Sequence, residues 1–76
     1  MPPKLPRVSG KETIRALERL GFVQSRQKGS HIILRKQTKW GSIGCVVPLH
    51  SELDVGTLRG ILRQAEIAPE EFIENL

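Results

Sequence analysis

The stretch FVQSRQKGSHIILRKQTKWGSIGCVVP, residues 22–48, decides the fold. Its apolar and β-branched residues fall in three short runs parted by polar, glycine-bearing segments, the pattern of consecutive short strands. Phe22 to Arg26 predicts the first strand, and Lys28-Gly29-Ser30 supplies its turn. His31 to Lys36 predicts the second, with the β-branched pair Ile32 and Ile33 at its centre. Gln37 to Gly41 reads as a polar loop carrying Trp40, the only tryptophan. Ser42 to Val47 predicts the third strand, and Pro48 ends it because proline has no N–H to give a ladder. Connections this short make the neighbouring strands antiparallel.

Helices flank this block. Ser9 followed by Glu12 makes a capping box, and Ile14, Leu17 and Leu20 recur at spacings of three to form one apolar stripe. Gly21 supplies the left-handed residue that closes a helix over about residues 10–20. After the strands, a loop through Leu49-His50-Ser51-Glu52 leads to a second helix that starts near Val55 with Asp54 as its cap. Leu58, Ile61 and Leu62 are its apolar face, and Gly56 is expected to let it pack closely on the sheet. Ala68-Pro69-Glu70-Glu71 restarts a short third helix, with proline in its first turn and acids at the positive end of its dipole; Phe72, Ile73 and Leu76 are expected to fold it onto the core. The order α-β-β-β-α plus a terminal helical turn is an α+β arrangement, a three-stranded antiparallel sheet with helices on one face. It is the element order of double-stranded-RNA-binding domains. Residues 1–8, with three prolines, are expected to form a disordered or extended lead-in to a single domain over residues 9–76.

Seventy-six residues make one domain with a thin margin of stability. Cys45 is the sole cysteine, so no internal disulfide exists, which fits a reducing compartment. It lies in an apolar run and is read as a core residue. The proline-rich start lacks the apolar stretch of a signal peptide, and no segment has the roughly 20 apolar residues that span a bilayer. A cytoplasmic protein with no membrane association is the expectation. The net charge of +4 divides unevenly: residues 1–50 carry +8 and residues 51–76 carry −4. A basic front half suits a polyanionic ligand, without distinguishing RNA, DNA and an acidic protein.

The chemistry-bearing inventory is short. One cysteine and two distant histidines are too few for a zinc site, no glycine-rich phosphate loop is present, and no serine or cysteine has a triad around it. His31 opens a strand just after a tight turn, with Arg26, Lys28, Ser30 and Arg35 nearby to hold or neutralise phosphate. RNA carries its own nucleophile, the 2′-hydroxyl. Its cleavage needs chiefly a base, an acid and cations, and histidine can serve in either proton role with no metal or cofactor. Taken by itself, a histidine at a strand start is more often structural than catalytic. His50 is read as orienting the loop before the second helix, with a second proton-transfer role as the alternative. Trp40 either stacks on a base or caps the edge of the core, and Arg59 and Arg63 read as a solvated helix face.

Taken together, these motifs resemble a known family. Leu20-Gly21-Phe22-Val23 followed by Arg26-Gln27-Lys28-Gly29-Ser30-His31 resembles the opening signature of HicA toxins. Val47-Pro48-Leu49-His50 and Gly56-Thr57-Leu58-Arg59-Gly60-Ile61-Leu62-Arg63-Gln64-Ala65 are similar to its second half, and Ile67 and Glu70-Glu71-Phe72 continue the likeness, which spans about residues 9–73. The resemblance implies a double-stranded-RNA-binding-domain-like toxin endoribonuclease that cleaves mRNA and is neutralised by a HicB-type antitoxin protein. It places the family's catalytic histidine on His31 and makes the basic front half the RNA face and the antitoxin's docking surface. Two departures stand out. Glu66 occupies a position where the family often has glycine, which implies a different end to the second helix, and Ala68 stands where a serine cap is usual.

Overall fold

The computed structural model describes residues 4–76; Met1–Pro3, the start of the expected lead-in, lie outside the described residues. The chain runs α1 (Gly10–Arg19), β1 (Val23–Lys28), β2 (His31–Thr38), β3 (Gly41–Pro48), α2 (Val55–Ala65) and α3 (Pro69–Glu74). The strands form one antiparallel sheet in the order β1-β2-β3. This is the expected α+β arrangement. The strands are longer than the sequence suggested, because both connections are two-residue turns. The expected loop over 37–41 is a tight hairpin in which Thr38 pairs with Gly41. The Thr38 hydroxyl donates to the Gly41 carbonyl (2.9 Å) and accepts from the Trp40 N–H (3.2 Å), so one polar side chain braces the turn.

Alternation along β2 and β3 sets the layers. Ile32, Leu34, Cys45 and Val47 turn to one face and are buried beneath the helices, with Ile14, Ala16 and Leu17 of α1 and Leu58, Ile61, Leu62 and Ala65 of α2. Phe72 of α3 is fully buried against the same core. Leu76 is exposed instead, because α3 ends at Glu74. Leu5 and Val8, from the segment read as a lead-in, are also buried. The Val8 carbonyl accepts from the Leu53 N–H (2.7 Å), and Arg7 pairs with Glu52 at 2.9 Å. Among the described residues no helix lies on the opposite face of the sheet.

The capping box of α1 is formed in full: the Glu12 N–H donates to Ser9 Oγ (3.0 Å) and the Ser9 N–H to Glu12 Oε1 (2.9 Å). The Ser9 backbone bond, then its side-chain bond, holds the Glu12 carboxyl below its ordinary value. Buried Thr13 donates its hydroxyl to the Ser9 carbonyl at 2.9 Å. Gly21 takes φ +100 just beyond the helix, as its position implies. Asp54 stands at the N-cap of α2 but its side chain makes no capping bond, and Ala68 offers none to α3.

Two expectations for α2 need correction. Gly56 does not meet the sheet: it is exposed, and an added Cβ finds nothing within 4 Å. The reason is angular, since Gly56 stands two residues from core-facing Leu58, about 200° around the helix. Nor does α2 end differently for want of glycine. Glu66 adopts the left-handed conformation itself (φ 56), and its N–H donates to the Arg63 carbonyl while the Ile67 N–H reaches Leu62 (2.9 Å). Ile67 then packs on the core, which compensates the strained backbone. Relieving that strain with Glu66→Gly is expected to stabilise the fold by about 1 kcal/mol, read as a higher urea midpoint at unchanged slope.

Gly10 is a glycine for a different reason. It is buried at the first turn of α1, its N–H donates to the His50 carbonyl (2.9 Å), and a Cβ there would lie 2.1 Å from the Pro48 carbonyl oxygen. Helix propensity favours alanine at such a site by about 1 kcal/mol. The backbone clash wins, because neither strand end nor helix can give way cheaply. Gly10→Ala is expected to destabilise by about 1–3 kcal/mol, seen in the same unfolding measurement as a lowered midpoint.

Candidate active site

The β1–β2 register assembles the predicted residues on the uncovered face. Lys28 pairs with His31, Gln27 with Ile32 and Arg26 with Ile33. Ile32 points to the helices, so His31, Ile33 and Arg35 point away from them, and Lys28 and Arg26 share that side. The two-residue turn makes this possible: Gly29 takes φ +60 while Ser30 keeps a negative φ, the pattern of a hairpin turn with glycine first. His31 therefore faces Lys28 across about 5.5 Å between Cα atoms, and Arg26 is its diagonal neighbour at about 7–8 Å. Ser30 sits in the turn itself, its carbonyl accepting from the Leu49 N–H at 2.7 Å.

Arg35 stands apart. It is four residues along β2 from His31, about 13 Å at the rise of a strand. Its side chain lies across β3 at its register partner Gly44, with the guanidinium Nη1 3.8 Å from where a Cβ would stand. The structure thus brings Lys28, Ser30 and Arg26 to His31 and leaves Arg35 to a separate stretch of the same face. Between them the face is apolar: Val23 is 66% exposed, Val46 is 40% exposed, and Ile33 is half-buried. The Gln64 side chain borders this patch and accepts from the Val46 N–H at 3.4 Å, supplying one partner to the outer edge of β3. Val46 and Gln64 were not singled out in the sequence. Period-two alternation through Ile33 and Val46 was the available signal for the first; nothing local pointed to the second.

The charges that the strands bring to this face are of one sign. None of the three strands contains a carboxylate. Among the described residues the one ion pair joins Arg7 to Glu52, so Arg26, Lys28 and Arg35 keep their charges unpaired. All three are exposed, as is His31. Such a surface can bind a polyanion across two strands with an imidazole beside it. Among the described residues, no three His, Cys, Asp or Glu side chains come together to hold a metal ion, and no helix is long and apolar enough to cross a membrane.

The other singled-out residues separate cleanly. Trp40 is 90% exposed at the tip of the β2–β3 hairpin, with the Lys39 ammonium 5.9 Å from its ring, so it does not cap the core. Arg59 and Arg63 lie on the exposed side of α2. His50 is exposed, in the segment that leaves β3.

The small α+β scaffold that carries this open, cationic sheet face is that of a toxin family, for the family comparison is direct. The family model described as "HicA toxin of bacterial toxin-antitoxin" matches residues 10–67, most of the chain and all three strands. The chain belongs to the HicA toxin family. No curated protein matches it.

Cys45 lies on the other side of the sheet. It faces the helices, is buried, and burial pushes its thiol up to about 11. At pH 8 only about one such thiol in 1,000 is the reactive thiolate. The native protein should therefore react with iodoacetamide at least a hundredfold (order of magnitude) more slowly than free cysteine, with full labelling once urea unfolds it.

Proposed function

We propose that this toxin is a metal-independent endoribonuclease that cleaves mRNA in the cytoplasm, using His31 to move a proton at the scissile phosphate. The observation that carries the reading is the placement of an exposed His31 directly opposite Lys28 on a face with no carboxylate in its strands. Membership of the HicA family supports the activity class.

In this reading the RNA backbone crosses the open face from the β1–β2 turn toward Arg35. Lys28 and Arg26 hold the phosphate oxygens beside His31, and Arg35, about 13 Å away, holds a phosphate further along the strand. Ser30 donates its hydroxyl to the same backbone. The imidazole of His31 takes the proton of the 2′-hydroxyl, whose oxygen attacks phosphorus, and the cations offset the charge that grows on the phosphoryl oxygens. The apolar strip of Val23, Ile33 and Val46 gives sugar and base edges a surface to lie on. The partner that silences the toxin is a HicB-type antitoxin whose acidic surface covers this face, so that one set of cations serves both RNA and inhibitor.

Incubating purified protein with RNA, with and without a chelator, tests the reading beside His31→Ala. Cleavage should survive chelation and fall by about 10²–10⁴-fold in the mutant, the usual worth of a proton-transfer group. A well-folded His31→Ala protein that still cuts RNA would overturn the role of His31. Intact RNA in every lane, with salt-dependent binding retained, would favour a non-catalytic RNA-binding module on the same face.

A further inference from the structure

Breaking the P–O5′ bond leaves an oxygen that must receive a proton, and besides Lys28 the strand register brings one further histidine, His50, toward His31. The β2–β3 ladder pairs His31 with Pro48 and continues one step past the strand end, where the Leu49 N–H donates to the Ser30 carbonyl at 2.7 Å. Leu49 packs inward against the core. His50 follows, exposed, two positions beyond Pro48, the register partner of His31. Continued along the ladder, that offset is the diagonal relation across an antiparallel pair, about 7–8 Å between backbones.

His50 is also held as a positioned group must be. On one side the Leu49 N–H is fixed to β2; on the other, the His50 carbonyl accepts from the Gly10 N–H at 2.9 Å. The residue is in a loop, yet its backbone is tied to a strand and to a buried helix end, while the imidazole itself is exposed. A residue needed only to shape the loop would do so through those backbone bonds, which any side chain permits. No carboxylate from the strands competes for the role.

We infer that His50 is the general acid of the cleavage step, facing His31 across the scissile phosphate. The inference rests on the ribonuclease reading above. The 2′-O–H proton passes to neutral His31, the 2′-oxygen bonds to phosphorus, the P–O5′ bond breaks, and the His50 imidazolium gives its proton to the departing 5′-oxygen. The products are a 2′,3′-cyclic phosphate and a 5′-hydroxyl; proton exchange with water resets both rings. Nothing is oxidised or reduced.

The test uses a short oligoribonucleotide containing a bond that the wild-type protein cuts, and the same oligonucleotide with sulfur replacing the bridging 5′-oxygen there. A thiolate leaves without protonation, so the sulfur substrate needs no acid. His50→Ala and His50→Gln should each lose at least about 10²-fold on the oxygen substrate and recover to within about tenfold of wild type on the sulfur substrate. His31→Ala should stay inactive on both. Circular dichroism of each variant confirms the fold, which keeps the Gly10 bond because that bond uses the His50 backbone. Wild-type rates for the His50 variants, or losses that sulfur does not repair, would overturn the assignment. Sulfur rescue of Lys28→Ala in place of the His50 variants would move the acid role to Lys28. A wild-type protein that cuts no bond in any RNA, found when such an oligonucleotide is sought, would sink the ribonuclease reading itself, a result distinct from the others.

Discussion

The contact on which the molecule depends is the close approach of two backbones at one corner of the sheet. The first turn of α1 comes so near the end of β3 that only a hydrogen fits between Gly10 and the Pro48 carbonyl. From that contact follow the Gly10–His50 bond, the inward seat of Leu49 and the Leu49–Ser30 bond, which together join a helix start, a strand exit and a strand entrance. A chain of this size buries too little surface to be rigid everywhere. Its backbone ties are concentrated where His31 enters the sheet.

The same three strands carry two separate duties through alternation alone. Even-numbered residues of β2 and odd-numbered residues of β3 build the core, with Leu34 and Val47 fully buried. The residues between them, buried Pro48 at the strand end excepted, form the open face, where His31, Arg35 and Val46 are exposed. Packing and exposed charge are thereby divided by a period of two, and a one-residue slip of register would exchange them. The closing turns prevent that slip: glycine-first geometry at Gly29 pins β1 to β2, and the Thr38 hydroxyl pins β2 to β3.

Much of this was legible in the residues. The capping box at Ser9 and Glu12, the three runs between Phe22 and Val47, and the proline at the head of α3 each state a local preference strong enough to survive folding. Strand ends were less legible, because a polar pair such as Lys39-Trp40 reads as a loop until its partner strand closes it into a turn. Gly56 and Glu66 misled for opposite reasons: the first has no steric duty, and the second tolerates a conformation its side chain disfavours because Ile67 gains a place on the core. The candidate site was visible as a list, Arg26, Lys28, Ser30, His31 and Arg35, but not as an arrangement. Register separates Arg35 from the others, and only the ladder past Pro48 brings His50 back toward them.

The position of Trp40 has an optical consequence. It is the only tryptophan, the chain has no tyrosine, and the indole stands in water at a hairpin tip. Its emission in the folded protein is already that of a hydrated ring, so melting of the core changes it little. The intrinsic fluorescence of this protein is therefore a poor thermometer of folding and a sensitive gauge of anything that closes over the β2–β3 tip.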